Sequence, residues 1–386
     1  MNWRTLPLDA IKASVPYAFV GGPFGSNLTT RDYVDEGVPV IRGNNLPADA
    51  SFHDDEFVYV AETKADRLRS NTAYPGDLVF TQRGTLGQVG VIPRDAKFSR
   101  YVISQSQMKL TVDPKIADAR FVYYLFRAPE TAQKVINHAS ASGVPHINLG
   151  ILRDFKVRLP DVTTQSRIAE ILGAYDDLIE NNCRRMALLE DAGRQLYREW
   201  FVRLRFPGYE HTRIANGVPE GWGLRTLGGY ATLHYGKALK SEDRTEGLVP
   251  VYGSSGNVGV HEKALVKAPG IILGRKGNVG SVYWCASDYW PIDTVYFVDA
   301  GASNLWLFYA LKHMHFISTD VAVPGLNRDF AYSRPLVVPT RGVLREFLNA
   351  VDPMYEQITK LGEMNEKLRA ARDLLLPRLM SGEIVI

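Results

Sequence analysis

Five polar clusters define the chemistry this chain could do. Arg42, Asn44 and Asn45 form the first; Thr81, Gln82 and Arg83 the second; Gln105, with Gln107, the third. Ser254, Ser255 and Asn257 make the fourth, and Arg275, Lys276 and Asn278 the fifth. Arg and Lys side chains complement O6 and N7 of guanine, while Asn and Gln complement N6 and N7 of adenine. These residues are therefore candidate DNA contacts. Gln82-Arg83 and Arg275-Lys276 carry extra weight because they occupy matching places in an internal repeat.

Groups that make and break bonds are sparse. No GxxxxGK[ST] phosphate loop is present, and Gly274 to Gly280 (GRKGNVG) only mimics one. Its counterpart at Gly84 to Gly87 points instead to a turn common to two halves of the chain. Neither an Asn-Pro-Pro-aromatic nor an Asp-Pro-Pro-Tyr tetrapeptide occurs, which argues against an amino-methyltransferase centre in this chain. Asp55, Glu62 and Lys64 loosely resemble the carboxylate set of a metal-dependent nuclease, and His313 and His315 alternate as metal ligands sometimes do. Charged loops and packing histidines produce both patterns freely, so the expectation is no catalytic, cofactor-binding or metal-binding residue here.

The elements that would position the polar clusters are written twice. Val144-Pro145, Ile147-Asn148 and Leu159-Pro160 recur as Val323-Pro324, Leu326-Asn327 and Val338-Pro339, with an offset of 179 at the prolines and the asparagine. The same offset relates Ile179 to Ile358, Leu189 to Leu368, Ala192 to Ala371 and Leu196 to Leu375. Upstream it drifts: 193 between Gly84, Gly87, Val89 and Gly277, Gly280, Val282, and 211 between Val38-Pro39-Val40 and Val249-Pro250-Val251. Extra loop residues in the first copy account for the drift. Short runs of Val, Ile, Tyr and Phe broken by Gly, Pro, Asn and Asp predict compact mixed domains built on strongly turned sheets. Helical spacing appears over Arg120 to Asn137 and Ser303 to Met314.

The last part of each copy is different in kind. Ile168, Leu172, Tyr175, Ile179, Asn182, Met186, Leu189, Gly193, Leu196 and Trp200 alternate spacings of four and three, a heptad seam. Adding 179 yields Phe347, Val351, Met354, Ile358, Leu361, Asn365, Leu368, Arg372, Leu375 and Leu379. Such a seam is roughly 50 Å long at 1.5 Å per residue, more than a small domain needs. The reading is two variable domains, 1–160 and 205–340, separated by long spacer helices at 161–204 and 341–386. The fold class is α+β, with the helices forming an antiparallel coiled coil and the whole a pseudo-two-fold repeat. Pairing positions that sum to 547 sets Asn182 against Asn365, Tyr175 against Arg372, Gly193 against Met354 and Ile168 against Leu379. A mid-helix proline costs about 3 kcal/mol. The long part of the second helix is therefore expected to begin at Pro353, with Asp352 as its N-cap.

Composition excludes little. Apolar residues are 45% and charged residues 23%, which suits a globular chain of two domains. Lys and Arg total 45 against 42 Asp and Glu, so net charge is only +3. Regionally, 1–160 holds 19 basic and 16 acidic residues and 204–340 holds 13 and 11, mildly positive as DNA contact requires. Neither a leader at Met1 to Ile11 nor a membrane-length apolar run is evident, and a cytoplasmic location is expected. Cys183 and Cys285 are too few for a disulfide framework and are expected to be reduced packing residues.

The whole chain resembles the specificity (S) subunit of a type I restriction-modification system. Asn365-Glu366-Lys367-Leu368-Arg369 and the run from Arg372 to Ile384 (RDLLLPRLMSGEI) are similar to that family's closing helix. Leu196-Tyr197-Arg198-Glu199-Trp200-Phe201-Val202, followed by Arg205-Phe206-Pro207-Gly208, is similar to the end of its central helix. The resemblance implies that the two variable domains are target-recognition domains, each reading half of a bipartite double-stranded DNA target, and that the helix pair sets the gap. It further implies docking of two modification (methyltransferase) subunits, joined by restriction (motor-nuclease) subunits. S-adenosylmethionine, ATP and Mg would belong to those partners. A self-sufficient metal-dependent nuclease and a purely structural coiled-coil adaptor are the alternatives.

Overall fold

The computed structural model describes residues 3–138, 146–316 and 325–386. Val144-Pro145 and Val323-Pro324 of the repeat lie outside them. The chain divides into two compact units, Met1–Asn182 with Met364–Ile386, and Cys183–Glu363. The fold is α+β. The long helices are not bodies of their own, as the four-segment division expects: each unit takes one stretch of each helix.

In the first unit Arg4–Pro7 pairs antiparallel with Lys156–Leu159, drawing the two ends of the domain together. A four-stranded antiparallel sheet runs in the order Phe19–Gly21, Gln107–Leu110, Leu78–Thr81, Val89–Val91. Leu78–Thr81 is buried at every position, as a central strand covered on both faces must be. Its cover includes the helix Ala119–Arg127, capped by Asp118, whose carboxylate accepts from Phe121 N at 3.0 Å. Phe126 of that helix meets Phe80 edge-on at 4.9 Å between ring centroids. A second sheet orders Tyr33–Val34, Val58–Val60, Val38–Ile41, Tyr101–Ile103 and Thr72–Ala73, with Val38–Ile41 and Tyr101–Ile103 parallel. The helical spacing over Arg120 to Asn137 resolves into two helices, because Pro129 cannot continue the first and begins the second, Pro129–Asn137.

The second unit has the same plan. Gly223–Thr226 pairs with Pro335–Val338, and the four-stranded sheet orders His234–Tyr235, Val295–Val298, Gly270–Gly274, Val282–Cys285. A three-stranded sheet again contains one parallel pair, Val249–Gly253 with Trp290–Pro291. The repeated asparagines are helix caps: Asn148 accepts from Ile151 N, and Asn327 from Asp329 N and Phe330 N. The two offsets meet in one hydrogen bond per unit. Ile147 N donates to Gln82 O at 3.1 Å, and Leu326 N to Arg275 O at 2.8 Å.

The central helix spans Val162–Tyr197 and ends in a wider π-turn at Arg198–Val202; the C-terminal helix spans Arg341–Ser381. Every seam position on both helices is buried or half-buried. Within the first unit Asn182 Nδ2 donates to Asn365 Oδ1 at 2.8 Å, and Asn365 Nδ2 to Ile179 O at 3.3 Å. Arg372 Nη1 donates to Asp176 at 2.5 Å. Residue numbers fall along one helix as they rise along the other, so this stretch is antiparallel. Ile168 and Leu172 share one core with Leu376, Leu379 and Met380.

Four expectations are corrected. Arg372 is held by Asp176 rather than set on Tyr175, because a buried guanidinium requires an acceptor. Burial, the largest single effect, opposes the Arg372 charge, but hydrogen bonds and charge attraction from Asp176 and Asp373 together raise the group above its ordinary value. Gly193 is the space that Tyr309 fills, with a methyl there lying 2.2 Å from the Tyr309 hydroxyl, not a gap matched to Met354. Pro353 lies inside an uninterrupted helix. Phe347, Val351 and Tyr355 bury the opposite face, while Pro353 and Asn349, the residue whose carbonyl loses its helical donor, are both exposed. Cys285 is buried, its thiol pushed up to about 12 by that burial, whereas Cys183 is exposed and not a packing residue.

Asn182 and Asn365 are 1% and 2% exposed, so removing either amide strands the other. Asn365→Ala should lower unfolding free energy by about 1–3 kcal/mol, read from the denaturant midpoint. The double change Asn182→Leu/Asn365→Leu should recover most of it, since no polar group is then left unmatched.

Candidate nucleic-acid interface

Parallel strands end side by side. The pairing of Ile41 with Ile103 brings the residues after both strands, Arg42 and Ser104, to one rim of the first unit. Gln82 and Arg83 follow Leu78–Thr81, and both backbone N–H groups point at Ser106 O, at 2.7 and 3.4 Å. Gly84 and Gly87 turn the chain at φ of 100° and 84°, a backbone region that side chains resist. The result is an open cleft of about 530 Å³ whose lining includes Arg42, Asn44, Arg83, Gln88, Ser104 and Gln107. Among the described residues no carboxylate lines it. Arg42 Nη2 donates to Glu56 O at 3.3 Å, and its Nε is buried with no hydrogen-bond partner among the described residues. Thr81 Oγ1 donates to Gln88 Oε1 at 3.2 Å on the floor. Two guanidiniums, several hydroxyls and amides, and no opposing charge suit an anionic, hydrogen-bonding ligand.

Arg42, Asn44 and Arg83 thus converge as candidates, and Gln88, Ser104 and Ser106 join them unpredicted. Strand pairing alone brings those three in, and a bare sequence carries no sign of it. Asn45 is withdrawn as a contact. It is fully buried, its Oδ1 accepting from Arg42 N and its Nδ2 donating to His53 O and Asp55 O. Gln105 is also committed within the fold: its Nε2 donates to Gly25 O and Leu28 O at 2.5 and 2.6 Å, pinning the 25–28 loop. Gln82 is half-buried beside Gly21, where an added methyl would lie 3.8 Å from its Oε1.

The second unit assembles the corresponding turns. Ser254, Ser255 and Asn257 occupy the hairpin between Val249–Gly253 and Gly256–His261. Ser254 O accepts from Ser281 Oγ at 2.6 Å, tying that hairpin to the 275–280 turn. Ser255, Lys276 and Asn278 are exposed. Asn257 spends its Oδ1 on Gly259 N at 2.9 Å, a local turn bond. Arg275 N and Lys276 N both point at Thr294 O, as Gln82 and Arg83 do at Ser106 O. The Arg275 guanidinium lies over Tyr235 at 5.1 Å and Tyr296 at 5.8 Å, and Arg328 covers Tyr235 at 4.9 Å. Tyr235 and Arg328 were not singled out from sequence, since they meet Arg275 only through sheet and loop packing.

The nuclease-like set does not assemble. Glu62 is bound by Arg100, Lys64 by Asp32 at 2.8 Å, and Asp55 lends its carbonyl to Asn45. Hydrogen bonding to Lys64 holds the Asp32 carboxyl down at about 2. Among the described residues no three His, Cys, Asp or Glu side chains gather as a metal site. No helix among them is long and apolar enough to cross a membrane.

Comparison with known proteins places this architecture. A family model described as the type I restriction modification DNA specificity domain matches residues 31–191. The specificity subunit of the type I restriction enzyme MjaIX of Methanocaldococcus jannaschii is 21% identical over 369 residues, covering 85% of this chain and 84% of that protein. The chain resembles type I restriction-modification specificity subunits over most of its length. The HindI specificity subunit of Haemophilus influenzae is 20% identical over 399 residues, covering 80% and 86%. The crystal structure of the type I restriction-modification S subunit from M. genitalium shares the fold, with TM-score 0.60 at 17% identity over 98% of this chain and 96% of that one.

Substitutions should separate frame from surface. Asn45→Ala strands three hydrogen-bonding partners and should cost about 1–3 kcal/mol of stability, seen as a lowered Tm. Arg83→Ala, at an exposed position, should stay within about 0.5 kcal/mol of the parent in the same melt.

Proposed function

We propose that this chain is the DNA sequence-recognition subunit of a type I restriction-modification complex, reading a bipartite duplex target with one unit per half. The observation that carries this reading is the pair of equivalent turns, Gln82-Arg83 and Arg275-Lys276, set on the same hydrogen-bond frame but bearing different side chains. A fixed frame with variable tips is what two readers of two different sequences need, since phosphates are alike everywhere and only base edges differ. The carboxylate-free cleft with Arg42 and Arg83 supports contact with an anionic duplex. The long helices joining the units are the element that sets the unread gap.

On this reading the chain makes and breaks no bonds. It scaffolds two methyltransferase subunits, and through them restriction subunits. S-adenosylmethionine, ATP and Mg serve those partners, in the cytoplasm where the DNA lies. Engagement of Glu62 by Arg100 and of Lys64 by Asp32 supports this over a stand-alone nuclease.

Duplex binding by the chain assembled with its methyltransferase partner tests the proposal. Arg83→Ala and Arg275→Ala should each weaken specific binding about tenfold, within the usual worth of one base-contacting arginine. Replacing residues 1–160 by the matching domain of a relative should change one half of the methylated motif, read by methylation-sensitive sequencing. Unchanged affinity together with an unchanged motif would leave the coiled-coil adaptor reading in its place.

A further inference from the structure

The two units can be aligned bond by bond, which shows where they differ. Gly22 N donates to Gln107 O and Gly236 N to Val295 O. A methyl at Gly22 would strike Ser104 O at 2.0 Å, and one at Gly236 would strike Ile292 O at 2.0 Å. Gly21 faces Met108 and Tyr235 faces Tyr296 in the register of the neighbouring strand. Gln82 and Arg275 share the Ser106/Thr294 and Ile147/Leu326 hydrogen bonds, and Leu149 and Arg328 each directly follow a capping asparagine. Three positions therefore correspond closely, and all three change character: Gly21, Gln82, Leu149 in the first unit, Tyr235, Arg275, Arg328 in the second.

In the second unit these side chains form one cluster. Tyr235 is 50% exposed, with guanidiniums at 4.9 and 5.1 Å from its ring centre. Arg275 is fixed further by Nη1 donating to Asp293 O at 3.0 Å, and Arg328 by Tyr332 at 5.8 Å. Among the described residues neither arginine is paired with a carboxylate. Two neighbouring cations cost energy unless an electronegative ligand faces them, and stacking on a ring keeps a guanidinium's planar fork oriented for two parallel hydrogen bonds. In the first unit the same place holds Gln82 against Gly21, an amide with no ring and no charge.

Building on the DNA-recognition reading above, we propose that Tyr235, Arg275 and Arg328 determine base specificity in the second unit, with Arg275 reading the O6 and N7 acceptors of one guanine in the half-site bound there. Tyr235 is a positioning residue that holds the fork flat, and Arg328 holds Tyr235 from its other contact. At the equivalent place the first unit presents Gln82, whose amide matches adenine. The chemical difference between the half-sites at this position is thus written in three residues.

Selection from a random duplex library with the assembled complex, followed by sequencing, tests this. The unsubstituted chain should return a two-part motif with a guanine that Arg275→Gln relaxes or converts to adenine, leaving the other half unchanged. Replacing that guanine by 7-deazaguanine, which lacks the N7 acceptor, should weaken the unsubstituted chain about tenfold and the Arg275→Gln chain hardly at all. The modified base leaves the protein untouched, so this arm does not depend on how the variant folds. Tyr235→Phe should retain the preference and Tyr235→Ala should blunt it. If Arg275→Gln weakens all sequences alike, with a shallower salt dependence and the same motif, the residue contacts phosphate and the inference fails alone. Insensitivity to 7-deazaguanine overturns it equally. If the unsubstituted complex selects no motif, the recognition reading itself fails.

Discussion

A buried amide pair anchors the helices on which the rest of this protein is arranged. Asn182 and Asn365 satisfy one another in a seam otherwise filled by Ile179, Leu172 and their neighbours, and Asn365 also reaches the Ile179 carbonyl. A slide of either helix by one heptad would bury both amides against apolar side chains, at a cost of order 1–3 kcal/mol each. Apolar residues alone would tolerate several registers. The asparagines, reinforced by Arg372 on Asp176, admit one.

Above that constraint stands a frame that is used twice. Capping asparagines at 148 and 327, the bonds Ile147 to Gln82 and Leu326 to Arg275, and glycines at 22 and 236 pressed against carbonyls recur with little change. These interactions use backbone groups and small residues, so they hold a turn in place without dictating what it displays. Arg83, Lys276 and the Gln82/Arg275 position then vary on a constant support. Separation of support from display is the physical form that recognition of two unlike sequences would take.

Much of this was legible in the residues alone, and the reasons differ by feature. Heptad spacing showed the seam, because a helix has one period and a buried stripe must follow it. Even the Asn182–Asn365 match could be read, since only a polar partner suits a buried amide. Pro353 misled because proline's cost depends on which face it occupies, and a helix's exposed face is fixed only by what packs against the other one. Asn45 and Gln105 misled in another way: an amide that reads a base and an amide that pins a loop are the same residue until their partners are known. Gln88 and Ser104 were missed because they reach the cleft through strand pairing, and Tyr235 and Arg328 because stacking on Arg275 leaves no mark in spacing.

By itself, then, the order of amino acids determined the periodic and the repeated: two copies, two long helices, their seam, and the turns that carry Gln82-Arg83 and Arg275-Lys276. These depend on local spacing, which the backbone converts directly into faces and turns. Only the tertiary structure decided which polar side chains are spent inside the fold and which remain to meet a ligand. That division depends on hydrogen-bond partners far away along the chain, such as Gly25 for Gln105 and Asp293 for Arg275, and a partner exists only once the sheets have closed.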